Sequence, residues 1–264
     1  MPANIEKAQP IHAALFISDL HLQQSHPKTT EAFFDFLRLH AMRSRQLYIL
    51  GDLFESWAGD DDIDSAFHRK VIEALRELSD SGIEIYWIAG NRDFLVGDGF
   101  ARATGMILLS DPYVAVIAGR RIALTHGDAQ CIDDQAYVDF RSKVRNPEWQ
   151  KQFLAMPLEQ RKSIIEGMRN ESRKAQYAKT DSIMDVSPAA IAALFEQTGT
   201  SIIIHGHTHR PARHEYASGS SNCNRYVLPD WEYDSDPVRG GWISIEQDGL
   251  IRQFGADGFE FSSS

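Results

Sequence analysis

A chain of 264 residues, 43% hydrophobic and 24% charged, has apolar material for a sizeable core and the composition of an ordinary soluble globular protein. Its formal net charge of -10 argues against a general nucleic-acid binder, which presents a basic balance. Two cysteines, Cys131 and Cys223, are too few for a disulfide framework and read as free thiols in a reducing compartment. The N-terminal stretch lacks a basic segment followed by a long apolar one, and no apolar run approaches the roughly 20 residues of a spanning helix. The expectation is a cytosolic chain, with attachment to a membrane surface left open.

Short apolar runs alternate with longer helical patterns. The first run, AALFIS (13–18), predicts a strand buried on both faces. TTEAFFDFLRLHAM follows as a helix with Thr29 or Thr30 as N-cap and Phe33, Phe36 or Leu37, and His40 along one side. After the strand LYIL (47–50), DSAFHRKVIEALRELSDSG places Phe67, Val71, Ile72, Leu75 and Leu78 on one helical stripe that stops near Gly82. IEIYWIA (83–89) and RIALT (121–125) are further strands. From Gln135 to Asp185 only helical patterns occur, with ten Lys/Arg against five Asp/Glu between Ala136 and Thr180. That basic insertion is either a cover over something anionic or apolar, or a solvated helix pair packed for stability. SPAAIAALFEQTG then has Ser187 as N-cap, Pro188 at the first helical position and Gly199 just past the end. SIIIH (201–205) is the next strand, and after Pro211 come closing strands with YASGSSNCN as a loop between them. Strands alternating with helices give an α/β fold with a largely parallel sheet.

Each of the five runs hands over to Asp, Asn or His. Asp19 and His21 follow the first, Asp52 the second, and Asn91 and Arg92 the third. His126 follows the fourth, and His207 and His209 the fifth. Any one pair has a bland explanation as a turn or a cap. Together, outside the carboxyl ends of neighbouring strands, they converge on one crevice. Imidazole, carboxylate and one amide oxygen suit borderline divalent ions such as Mn²⁺, Fe²⁺ or Zn²⁺, and the absence of cysteine speaks against a structural thiolate zinc site. Seven ligands exceed the needs of one ion and suit two, bridged by a carboxylate at about 3.5–4 Å.

DLH (19–21), GDLFE (51–55), GNRD (90–93), THGD (125–128) and GHTHRP (206–211) together resemble the calcineurin-like metallophosphoesterase pattern. The resemblance implies a four-layer α/β/β/α sandwich with an inserted helical lid: a core of residues 11–134 and 186–256, and a lid of residues 135–185. It further implies that Asp19, His21, Asp52 and His209 hold one metal, with Asp52 bridging. Asn91, His126 and His207 complete the second, and Mn²⁺ is the expected ion.

GDLFESWAGDDD, GNRDFLVG and SIMDV resemble the branch of that family that splits the diphosphate of an acylated UDP-sugar in the lipid A pathway. Here Arg92 stands where the superfamily usually has histidine. Arginine stays protonated and cannot be a general acid, but its planar fork clamps phosphate. That favours a diphosphate, whose leaving group departs as a stable anion, over an ester needing a proton donor. Catalytic roles then fall to Asp52, Arg92 and His126. Substrate contacts fall to Asn91, Arg92, His207 and Asp134, and to Ser172, Gln176 and Lys179 of the lid, Gln176 standing where such enzymes carry asparagine. The implied partners are the acylated UDP-sugar and an anionic surface at the cytoplasmic face of the inner membrane. Neither nucleic acid nor an obligate protein partner is expected. A phosphodiesterase or nuclease is the alternative enzyme, and a metal-site scaffold without catalysis the alternative of another class.

Overall fold

Apolar runs with no polar face need cover on both sides. The computed structural model, which describes residues 11–176, 185–218 and 221–261, provides it with two stacked sheets. The first contains β1 (His12–Ile17), β2 (Ser44–Ile49), β3 (Glu84–Ile88) and β4 (Ile107–Leu109), all parallel. Antiparallel β10 (Gly241–Glu246) and β11 (Ile251–Gly255) complete the order β11-β10-β1-β2-β3-β4. The second contains β5 (Tyr113–Ile117), β6 (Arg120–Leu124), β7 (Ile202–His205), β8 (Ala212–Ser218) and β9 (Ser221–Val227), in the order β5-β6-β7-β9-β8. There β6, β7 and β9 run parallel, so both sheets are mixed rather than wholly parallel.

Successive side chains alternate between faces. Phe16, Tyr48, Ile88, Ile122, Leu124, Ile202 and Ile204 fill the layer between the sheets. Leu15, Ile17, Leu47, Ile49 and Trp87 face the other way, against α1 (Pro27–Leu39), α2 (Ala66–Asp80) and α3 (Asp98–Thr104). Ala123 and Ile203 meet Ile191, Leu194 and Phe195 of α7 (Pro188–Thr198). The layers are those of the expected α/β/β/α sandwich. Each large aliphatic side chain contributes roughly 1.5–3 kcal/mol by leaving water. That packing fixes strand register and hence the row of strand ends.

Most helix limits follow the sequence signals. Ser65 caps α2 by accepting from the His68 N–H, and Val71, Ile72, Leu75 and Leu78 are its buried stripe. Pro188 opens α7, and Gly199 ends it at φ 59°. The start of α1 differs: it begins at Pro27 rather than after Thr29 or Thr30. Asp234, far along the chain, accepts from the backbone of Lys28 and Thr29 and from the Thr29 hydroxyl, so the cap is supplied in space. The loop expected over YASGSSNCN is also corrected. Tyr216, Ala217 and Ser218 pair with Cys223, Asn222 and Ser221 as an antiparallel hairpin. Alternation places Cys223 and Tyr216 on the core beneath α7, which polar composition concealed.

The strandless stretch forms α4 (Gln135–Val144), α5 (Pro147–Leu154) and α6 (Leu158–Gln176). Phe153 is buried, and Trp149, Ile164 and Ile165 pack on the core around Phe54 and Trp57. Arg161 is buried too, donating to the carbonyls of Ala58 and Met156 and to Asp61, while Lys162 pairs with Asp62 at 2.8 Å. No helix among the described residues is long and apolar enough to cross a membrane.

Candidate metal centre

The ends of β1, β2, β3, β6 and β7 lie together, and backbone hydrogen bonds stitch the turns beyond them. The Asp19 N–H donates to the Gly51 carbonyl (3.1 Å), the His21 N–H to that of Asp52 (3.0 Å) and the Gly206 N–H to that of His126 (2.9 Å). Asp19, His21, Asp52, His207 and His209 all have left-handed backbone, with φ between 49° and 67°. Such residues cost about 1–3 kcal/mol each and persist only where the surroundings enforce them. They swing side chains off the strand axis into one pocket. Glycines make room: a Cβ on Gly90 would collide with the Asp52 carboxylate, and one on Gly206 with that of Asp19.

Two side-chain clusters result, Asp19 with His21 and His209, and Asp19 with Asp52 and His126. In the first, the Nε2 atoms of His21 and His209 face each other at 3.4 Å, and His209 Nε2 lies 3.3 Å from Asp19 Oδ1. In the second, His126 Nε2 is 3.8 Å from Asp52 Oδ2. Asn91 Oδ1 joins them, 2.9 Å from both His126 Nε2 and His207 Nδ1. All seven ligand candidates from the sequence are therefore brought together.

The donor set fits divalent cations. His126 Nδ1, 2.8 Å from the Leu50 carbonyl, donates to it, which fixes the ring and leaves Nε2 facing the pocket, 2.9 Å from Asn91 Oδ1. Asp19 Oδ1 and His21 Nδ1 are buried with no hydrogen-bond partner. Burial pushes the Asp52 carboxyl up to about 7, against the pull of His126. Burial also disfavours charge on His126, yet Asp52, Asp19 and Asp128 outweigh it and lift that imidazole to about 9. The field in the pocket thus favours cations, while burial and neighbouring His126 hold His207 neutral, down to about 3. A further cluster, His26, Glu232 and Asp234, lies at the start of α1. There Asp234 is engaged by Lys28 and Thr29, and Glu232 accepts from the N–H groups of Asp234 and Ser235.

His205, the first of the three closely spaced histidines, turns away. It ends β7 fully buried, with Nε2 3.0 Å from Arg225 and Nδ1 2.8 Å from the Gly206 carbonyl. Arg92 joins the pocket rim: its N–H donates to Asp52 Oδ1 at 2.8 Å, and its guanidinium lies 3.9 Å from Asp52 and 3.6 Å from Glu55. Asp134 caps α4 by accepting from the Tyr137 N–H. Ser172 is exposed on α6, Gln176 ends that helix, and Lys179 lies outside the described residues.

Other groups were not singled out by sequence. Asp93 accepts from the N–H groups of Asp52, Leu53 and Gly90, binding two ligand turns together. Asp128 accepts from Tyr137 (2.7 Å) and Arg141 (2.8 Å), tying α4 to the His126 turn. Asp230 lies 3.7 Å from His209, and the neighbouring Trp231 N–H donates to the Asp19 carbonyl. Asp93 and Asp128 stood inside quoted motifs; Asp230 carried no signal beyond PDWEYD.

Known proteins match this chain along most of its length. The model of the calcineurin-like phosphoesterase family matches residues 13–211. The UDP-2,3-diacylglucosamine hydrolase of Chromohalobacter salexigens is 47% identical over 242 residues, covering 91% of this chain and 96% of that protein. The protein of the same name from Serratia proteamaculans is 47% identical over 236 residues, covering 89% and 96%. The strand-end ligand pocket and these matches agree: the chain belongs to the calcineurin-like phosphoesterase family.

Proposed function

We propose that the protein hydrolyses the diphosphate bond of UDP-2,3-diacylglucosamine, giving UMP and 2,3-diacylglucosamine 1-phosphate. The observation that carries the reading is the near-full-length similarity to hydrolases named for that substrate. Asp19, His21, Asp52 and His209 would hold one divalent ion, and Asp52, Asn91, His126 and His207 a second. Manganese suits this nitrogen and oxygen donor set. Bound ions supply a water of lowered pKa and neutralise phosphate charge. Asp52 stands between the two ligand groups, and His126 is held in one tautomer by the Leu50 carbonyl. Arg92 clamps the diphosphate and offsets the charge gathering on the departing phosphate, without giving up a proton. The bond from the α-phosphorus to the bridging oxygen breaks, and the water oxygen ends on the α-phosphorus.

The helices α4–α6 act as a lid. Asp134, Ser172, Gln176 and Lys179 contact the sugar phosphate, and apolar side chains such as the exposed Phe140 and Leu154 meet acyl chains or lipid. Peripheral contact with the cytoplasmic face of the inner membrane follows from the acylated substrate. Hydrolysis in ¹⁸O-labelled water tests the chemistry: label in UMP is expected. Label in the sugar phosphate instead places attack on the other phosphorus and contradicts the mechanism.

A further inference from the structure

Glu55 belongs to no ligand set, yet it faces three groups that matter to the site. Its Oε2 lies 3.4 Å from His21 Nδ1. Its Oε1 lies 3.6 Å from the Arg92 guanidinium and 3.3 Å from that of Arg169. These partners come from the turn after β1, the turn after β3, and α6. The position of Glu55 is itself fixed, because its N–H donates to the Leu22 carbonyl beyond His21. The segment that carries Asp52 and Glu55 also receives Arg161 and Lys162 at Asp61 and Asp62. Arg161, Ile165 and Arg169, spaced by four, share the helix face that docks there.

We propose that Glu55 is a positioning residue that gathers Arg92 and Arg169 into one anion-binding pair and orients His21 through its Nδ1. Two guanidinium groups that share one carboxylate repel each other at close range, and the carboxylate offsets that repulsion. The trio keeps a net positive charge beside the ligand pocket, suited to a phosphate or diphosphate. Its other oxygen lies 3.4 Å from His21 Nδ1, close enough for its charge to favour the proton on Nδ1 and leave Nε2 free to bind metal, and such carboxylate partners contribute tenfold or more to metal affinity. The inference rests on the proposed reaction only for the identity of the anion, so its test uses inorganic pyrophosphate as the probe.

The experiment measures pyrophosphate binding to the metal-loaded protein by calorimetry and Mn²⁺ binding to the metal-free protein, for the parent, Glu55→Gln and Glu55→Ala. Glutamine keeps an oxygen for His21 but loses the charge that gathers the arginines. It is expected to weaken pyrophosphate roughly tenfold with Mn²⁺ affinity preserved, and alanine to weaken both by roughly tenfold. A carboxylate acting merely as negative charge beside the anion gives the opposite sign, tighter pyrophosphate binding in Glu55→Gln. Tighter or unchanged binding overturns the gathering role, and unchanged Mn²⁺ affinity in Glu55→Ala overturns the orienting role. Thermal melts of both variants identify loss of fold. A failure to hydrolyse UDP-2,3-diacylglucosamine leaves both binding tests in force.

Discussion

Asp52 Oδ2 lies 4.0 Å from His21 Nδ1 and 3.8 Å from His126 Nε2, while its N–H donates to Asp93 and its Oδ1 takes the Arg92 N–H. Replacing it with alanine removes the proposed shared ligand and one anchor of the arginine. Turnover should fall by more than about 100-fold, the loss for partners that only support ligands; near-parental turnover with two ions bound would contradict the bridging role. His205 makes the opposite case. Burial and Arg225 lower its pKa to about 3, so the folded state resists a proton that the unfolded chain accepts at its ordinary 6.5. Its contribution to stability is complete above pH 6.5 and is lost as pH falls towards 3, amounting to roughly 3 kcal/mol by pH 4. A His205→Asn variant should therefore lose stability less steeply than the parent between pH 6.5 and 4 in denaturant titrations. Parallel acid limbs would show that His205 does not titrate as its surroundings dictate. The seven candidate ligands were legible because each follows an apolar run within a few residues. His205 has the same residue type and a matching spacing, yet left-handed backbone at His207 and His209 breaks the alternation that would have put all three on one face.

At the scale of elements, helix signals were legible where they are local, as at Pro188 and Gly199, and misleading where Asp234 caps α1 from across the fold. The closing strands were expected, but the pairing of β8 with β9 through Tyr216–Ser218 and Ser221–Cys223 was not, because polar residues there conceal that only alternate positions meet the core. The insertion shows a similar divide. Its excess of basic residues was visible, but their destination was not. Arg141 pairs with Asp128, Arg145 donates to the carbonyls of Ala89 and Gly90, and Arg161, Lys162 and Arg169 pair with Asp61, Asp62 and Glu55. Much of that charge answers the acidic core rather than solvent. Arg161→Leu should strip the buried Ala58 carbonyl of its donor, at about 1–3 kcal/mol, remove the bond to the half-buried Met156 carbonyl, and loosen α6. Hydrogen exchange should speed up in α6 while β1–β3 stay protected. Equal protection of α6 in parent and variant would contradict Arg161 as its anchor.

For the whole molecule, two stacked sheets bring together the ends of β1, β2 and β3 from one and of β6 and β7 from the other, and packing between them holds the ligand turns in place. The insertion docks on the segment after Asp52, where Arg161, Lys162 and Arg169 pair with Asp61, Asp62 and Glu55, so the candidate ligand Asp52 and the dock of α6 share one stretch of chain. Membrane contact belongs at this scale. Lys143 and Lys151, with exposed Phe140 and Leu154, are available to an anionic surface, and binding to anionic vesicles should weaken as salt rises. Binding that is absent at low salt would reduce the insertion to a substrate cover. The most direct test of the account measures bound metal together with UMP release from UDP-2,3-diacylglucosamine, with added Mn²⁺, with chelator, and with the deacylated analogue. The account predicts about two ions per chain and release that needs Mn²⁺, stops with chelator and fails on the deacylated analogue. Release that persists in chelator after the ions are gone, or no release from the acylated substrate at full metal loading, would contradict it.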